Sequence, residues 1–354
     1  MNTKQWIGLG ASLLLMTSCG NDNEMDIPTS YPEATAFPIS CSAHAASAAS
    51  NSRTLIDGDT QAERDAALQA ACTPGTGGDA IAIYGSYTPN SGGDATTVFD
   101  NTALVYDASV GTNDETNQIN WNYANEQYWA KDATYDFRAC YPQNALSGSS
   151  TALSGTYNTL TTQKDLMVAY TQVNTATYNL SQPVSLQMNH ALAAVCFKVK
   201  SEDGSMMTLK SLSFSGLYTQ GTLTYSPTGD DTSAKRTDWT NLALSSAYEW
   251  RQGGLTFNSN ETLVTHYSST SLADYAEDGF LLIIPQVCRP QLKLATAQKE
   301  YNAANLYSDL SGTTYEPGKK YTYIVSVSPA EQLTVTLSVK PWNNLNSSHD
   351  LTIE

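Results

Sequence analysis

The chain has 354 residues, with 34 Asp or Glu against 18 Lys or Arg and a formal charge of −16. That balance argues against nucleic acid as a partner, because phosphates demand a face rich in Lys and Arg. A hydrophobic content of 41% supports folded cores and the length allows two domains, while 15% charged residues and 21 Tyr suit an extracellular β protein.

The first residues read as an export signal. Lys4 gives a short basic start, an apolar stretch runs from Trp6 to Met16, and Thr17 and Ser18 precede Cys19. The stretch is too short to span a bilayer, which takes about 20 residues. A Cys directly after small residues matches the lipobox of bacterial lipoproteins, in which the thiol takes a diacylglycerol and becomes the new N-terminus. Met16 departs from that pattern, standing where Leu is commonest. Residues 1–18 are therefore expected to be removed, with Cys19 carrying a lipid anchor to the outer membrane or cell surface. The acidic run Asp22, Glu24, Asp26 fits a solvated tether.

Residues 19–53 read as that tether. Pro28, Pro32 and Pro38 interrupt regular structure, Ser42–Ser52 is rich in Ala and Ser, and Ala36–Cys41 is expected as one short edge strand. No Lys or Arg occurs from Gly20 to Ser52, so Arg53 is the first basic residue of the mature chain. Gln61–Cys72, Ala-rich with Glu63, Arg64 and Asp65, predicts a short helix.

Beyond Gly77 and Gly78 the period changes to two. Asp79–Tyr84, Thr97–Phe99, Ala103–Tyr106, Ile119–Tyr123 and Tyr135–Tyr141 predict half-buried antiparallel strands, the last stopped by Pro142. A second set is expected from Val184: Val184–His190, Ala194–Lys200, Leu209–Gly216, Gly221–Tyr225, Lys320–Val327 and Leu333–Val339. Gly279–Ile284 is nearly all apolar and predicts a central strand buried on both faces. Strands and turns so spaced predict an all-β fold of two β-sandwich domains with antiparallel sheets, residues 54–182 and 183–354.

Catalytic chemistry finds little footing. The four His, at 44, 190, 266 and 349, lie in no metal-ligand spacing. His190, in a strand among apolar residues, reads as a hydrogen-bonded core or edge side chain. There is no GxSxG elbow. The pairs Asp57/Asp59 and Asp230/Asp231 fall short of a calcium loop. Once Cys19 is lipidated, Cys41, Cys72, Cys140, Cys196 and Cys288 remain, an odd number without a CxxC, expected as buried thiols or one incidental pair. No enzyme, metal or cofactor is indicated. The alternative binding reading is a glycan-binding surface lipoprotein, with Trp239, Tyr248, Trp250 and Tyr267 stacking on sugars; it requires those rings to face solvent.

Four blocks, in order, resemble the fimbrillin family, the subunits and accessory proteins of type V pili. They are Gly78–Gly85; Tyr128-Trp129 with Tyr135–Pro142; Lys164–Met167 with Met188–Phe197; and Leu282–Gln286 with Tyr315–Tyr321 and Val339–Trp342. The resemblance spans about residues 78 to 345. It implies two transthyretin-like sandwich domains with Greek-key-type sheets, and a lipoprotein precursor matured outside the inner membrane. It also implies cleavage after an Arg by a trypsin-like protease, loss of one N-terminal strand, and entry of a strand from another fimbrial subunit, in support of cell adhesion to a host or glycan ligand. Arg53 matches the cleavage role by position; Arg64, in the expected helix, matches it less well. A donor strand is expected near the C-terminus, in Glu331–Val339 or in the tail around Leu351–Ile353.

Overall fold

The computed structural model describes residues 34–45, 56, 60–75, 78–109, 120–149, 151–227, 237–244, 248–250, 254–265, 279–306, 312–328, 333–342 and 349–352. Apart from one helix, its regular structure is β. The first half holds β1 (Ala34–Pro38), β2 (Cys41–Ala45), α1 (Gln61–Ala71), β3 (Ile81–Pro89), β4 (Thr96–Tyr106), β5 (Trp121–Asn122), β6 (Tyr128–Ala130), β7 (Ala133–Tyr141), β8 (Ser147–Gly148), β9 (Leu153–Asn158), β10 (Met167–Asn174) and β11 (Val184–His190). The second half continues with β12 (Ala193–Ser201), β13 (Met207–Ser215), β14 (Tyr218–Tyr225), β15 (Thr237–Leu244), β16 (Tyr248–Trp250), β17 (Leu255–Phe257), β18 (Thr262–Leu263), β19 (Leu281–Ile283), β20 (Gln286–Cys288), β21 (Gln291–Thr296), β22 (Glu300–Asn305), β23 (Thr313–Tyr315), β24 (Lys319–Val327), β25 (Leu333–Pro341) and β26 (His349–Thr352). Residues Pro32–Glu354 form one compact unit.

A seven-stranded sheet in the order β2-β11-β10-β7-β3-β4-β5 organises the first half. Its central strands bury both faces. On β7, Tyr135, Phe137, Ala139 and Tyr141 enter one cluster, shared with Leu68 and Cys72 of the α1 region and with Trp129 of β6. On the opposite face Cys140 joins Ala82, Tyr84, Val168 and Tyr170 against Leu153, Leu223 and Tyr225. Successive side chains of a strand point to opposite faces, so β7 gives Tyr135, Phe137, Ala139 and Tyr141 to one cluster and Cys140 to the other.

In the second half, the sheet built on β12, β24 and β25 faces the sheet built on β13 and β21. Phe197, Tyr323, Val325 and Leu337 from one meet Leu209, Leu212, Phe214 and Leu294 from the other. Phe197 stacks on Tyr323 with ring centroids 5.3 Å apart and meets Phe214 edge-on at 5.1 Å. β12 and β24 run parallel, in register from Ala194↔Lys320 to Ser201↔Val327.

Several expectations are corrected. Ala36–Cys41 is not one edge strand: the chain forms β1 and then β2, paired to different partners. Val184–His190, expected to open the second set, is β11 of the first sheet. Gly279–Ile284 is buried on both faces as expected, but it yields only the short β19 beside β12 rather than a central strand. β9 pairs with β14, so the sheets of the two halves interlock across residue 182. The stretch Leu333–Pro341 is an internal strand between β24 and β26.

Phe137 is the pivot of the first core: fully buried, it meets Trp129 edge-on at 6.0 Å and stacks on Tyr135 at 5.7 Å. Phe137→Ala is expected to cost about 3–5 kcal/mol, measured as a lowered urea midpoint with an unchanged slope.

Candidate functional site

The region with functional geometry is the β11 edge of the seven-stranded sheet, where the N-terminal segment docks. β1 pairs antiparallel with β6, and Pro38 faces Tyr128. Ile39 then donates its N–H to the Gln127 carbonyl at 2.7 Å and accepts from the Tyr123 hydroxyl at 2.5 Å. The chain crosses to the sheet edge and runs as β2, parallel to β11, with Cys41 opposite Val184 and Ala45 opposite Met188. Cys41, Ala43 and Ala45 are fully buried, whereas Ser42 and His44 are half-buried. The alternation of a half-buried strand is thus present in Cys-Ser-Ala-His-Ala. Small side chains of modest β-propensity concealed it in the sequence.

α1 lies over the end of β2. Its start is set by a capping box in which Glu63 N–H donates to Thr60 Oγ1 at 3.3 Å and Thr60 N–H to Glu63 Oε2 at 2.9 Å. Leu68 and Cys72 turn into the core. On the β2 side, Asp65 accepts from the Ala45 N–H at 3.1 Å and pairs with His44 Nδ1 at 3.1 Å. Gln61 Nε2 donates to the Ala45 carbonyl at 2.9 Å and to Asp65 Oδ1 at 2.8 Å.

A second carboxylate holds the chain before the helix. Ile56 is 3% exposed and donates its N–H to Asp165 Oδ2 at 3.2 Å. Asp165 is fully buried and pairs with His190 Nδ1 at 2.9 Å, and the His190 ring stacks on Trp342 at 3.8 Å with the planes 6° apart. Trp342 donates its N–H to the Gly318 carbonyl at 2.7 Å, and Gly318 donates to Leu192 at 2.8 Å. One buried carboxylate therefore links the segment before α1, the end of β11 and the segment after β25. His190 is a hydrogen-bonded core side chain, as expected.

Cys19 and Arg53, the expected lipidation and cleavage residues, lie outside the described residues, as do Asp57, Asp59, Asp230, Asp231, His266 and Tyr267. Cys41, Cys72, Cys140, Cys196 and Cys288 are all free and buried. Burial pushes the Cys41, Cys140 and Cys288 thiols up to about 12, and the Cys72 thiol higher still, helped by Asp79, so they are poor nucleophiles at neutral pH. Of the aromatics proposed for sugar stacking, Tyr248 is buried with its hydroxyl 2.5 Å from Thr159 Oγ1. Trp239 is half-buried against the cluster around Leu223. Neither contributes to a solvent-facing row.

Among the described residues, no group of three or more His, Cys, Asp and Glu is placed to hold a metal. No described helix is long and apolar enough to cross a membrane. A cavity of about 390 Å³ lies beside β4, lined by Val98, Phe99, Thr102, Ala103, Ala124, Asn125 and Gln127, and carries no titratable group.

The fimbrillin-like family profile matches residues 69–342, most of the chain and all four sequence blocks. The chain belongs to the fimbrillin-like family. Among solved structures, this fimbrillin-like chain is similar to a fimbrial protein from Bacteroides vulgatus, at 16% identity and a TM-score of 0.46, over 74% of this chain and 92% of that one. It is also similar to the tip fimbrial protein Mfa3 from Porphyromonas gingivalis, at 8% identity and a TM-score of 0.38, over 75% of this chain and 95% of that one. No curated protein matches the chain. Membership places it among fimbrial structural proteins.

Breaking the buried pair by Asp165→Ala removes the carboxylate from His190 and from the Ile56 N–H and is expected to cost about 3–5 kcal/mol. The double variant Asp165→Leu/His190→Met, which removes both polar groups, is expected to cost less than the single one. Urea unfolding of the two variants beside the parent measures the difference.

Proposed function

We propose that this chain is a fimbrial subunit assembled by strand exchange at the β11 edge. It is exported as a lipoprotein held through Cys19, and a trypsin-like protease cuts after Arg53. The cut frees the segment that carries β1 and β2, and a strand from another subunit then takes the place of β2. The observation that carries the reading is the position of β2. It is a terminal edge strand with alternate side chains buried in the core, it precedes Arg53 by a short stretch of chain, and it belongs to a segment whose removal leaves the sheet otherwise intact.

The physical logic is that of strand addition. Departure of β2 leaves the outward N–H and C=O groups of β11 unpaired and three core slots empty, and a new strand restores both. The residues after the cut are read as two sandwich domains of the transthyretin-like kind, 54–182 and 183–354, the first completed by β11. The donor is read as β26, the short strand at the C-terminal edge of the second half, paired to β25 from Val339↔His349 to Thr336↔Thr352. β25 itself is unsuited to donation, because Val335 and Leu337 fill its own core.

Limited trypsin digestion of the purified unlipidated chain, read by mass spectrometry and size, tests the reading. One cut after Arg53 followed by a ladder of oligomers is expected; a stable cut monomer overturns it. Arg53→Ala is expected to abolish that cut and fibre assembly in cells, and normal fibres from this variant would falsify the cleavage step. Cys19→Ala is expected to abolish palmitate labelling and leave an unlipidated precursor. Undiminished labelling would remove the anchor from the account.

A further inference from the structure

We infer that Gln61 and Asp65 of α1 form a catch that keeps β2 on the sheet after the backbone is cut, so that cleavage and strand departure are separate steps. This inference rests on the strand-exchange reading and concerns how that edge is regulated.

Side-chain packing holds β2 lightly. Its buried side chains are Cys41, Ala43 and Ala45, which bury far less apolar surface than a Val, Ile or Leu would in the same slots. Among the described residues its strand partner is β11, on one side. A strand of this kind at a sheet edge is weakly retained by packing alone. The end nearest Arg53 is nevertheless closed by polar contacts from one helical turn. Asp65 takes the Ala45 N–H and pairs with His44, and Gln61 takes the Ala45 carbonyl. Both main-chain groups of Ala45 are therefore bonded to α1. The two helix side chains are also bonded to each other, through Gln61 Nε2 and Asp65 Oδ1, as residues four apart on a helix can be.

The helix stays when β2 leaves. Leu68 and Cys72 are fully buried in the first core, and Ile56 is fastened to Asp165. Two carboxylates thus hold the chain on either side of Arg53, at Ala45 before it and at Ile56 after it. Asp65 holds the last residues of the departing strand, and Asp165 holds the first described residue of the remaining chain. A cut between them severs the covalent link and leaves the catch closed. Release then requires the Ala45 bonds to open, which an incoming strand that displaces β2 from its far end can complete last.

The test separates release from cutting. A site for a second, specific protease is inserted after Ser52 in the full chain, so that the segment can be clipped whether or not Arg53 is a natural site. Gel filtration and intact mass at timed intervals then follow how much of the clipped segment remains bound. The parent is expected to retain it as a slowly decaying complex. Gln61→Ala/Asp65→Ala is expected to release it roughly a hundredfold faster, the scale of losing the three contacts to His44 and Ala45. Thr60→Ala weakens the helix cap without touching β2 and is expected to release at close to the parental rate.

Equal rates for the parent and the double variant overturn the catch, as does immediate loss from the parent or equal acceleration by Thr60→Ala. Hydrogen exchange at the Ala45 amide in the uncut chain gives a reading that survives poor behaviour of the clipped forms. Protection in the parent and faster exchange in Asp65→Asn are expected, and unchanged protection counts against the catch. Slow release from the parent combined with no oligomers afterwards would leave the catch standing and remove the subunit reading instead.

Discussion

The outer edge of β11 is the constraint on which the rest of the N-terminal half depends. β11 carries Val184, Leu186 and Met188 into a core that also holds Trp129, Tyr135 and Phe137, so water cannot be admitted at that edge without opening the core. Backbone groups there must be paired at the same time. β2 meets both requirements with the smallest side chains that can, and it does so from a segment that arrives from outside the sheet. A cover that is needed and yet lightly packed is a different object from a core strand. Its retention rests on backbone pairing and on the α1 contacts at Ala45 more than on apolar burial.

The interior of the sheet shows the opposite regime. β7 and β3 lie at the centre of the sheet, and the face away from α1 is sealed by β9, β14 and Trp342. The pairing of β9 with β14 and the chain of contacts from Ile56 through Asp165 and His190 to Trp342 tie the two halves together. Asp165 and His190 come from the two segments of the third sequence block and Trp342 from the fourth, and in space they are neighbours. The blocks are thus packing and pairing positions. That explains how they can signal a family through packing and pairing alone.

Much of the fold was legible because alternation is a local property. Tyr135–Tyr141 and Lys320–Val327 announce themselves by period two, and α1 by its composition. Legibility fails where a strand is apolar on both sides or built of small residues. Met167-Val-Ala-Tyr170 shows no alternation because it is buried on both faces, and Cys41–Ala45 reads as a low-complexity tether. Asp65 and Gln61 looked like ordinary exposed helix residues, since nothing in a helix pattern tells which strand end lies beside it.

By itself, the sequence determined the β character of the chain, the position of its helix, the family blocks, and Arg53 as the first basic residue after a long stretch without Lys or Arg. The tertiary structure alone decided that Cys41 lies against Val184 in parallel, that both bonds of Ala45 end on α1, and that Asp165 gathers Ile56 and His190. The reason is physical. Strand content follows from the period of neighbouring side chains, whereas strand pairing is selected by which edge of a finished core is left uncovered, and that edge exists only once distant segments have folded.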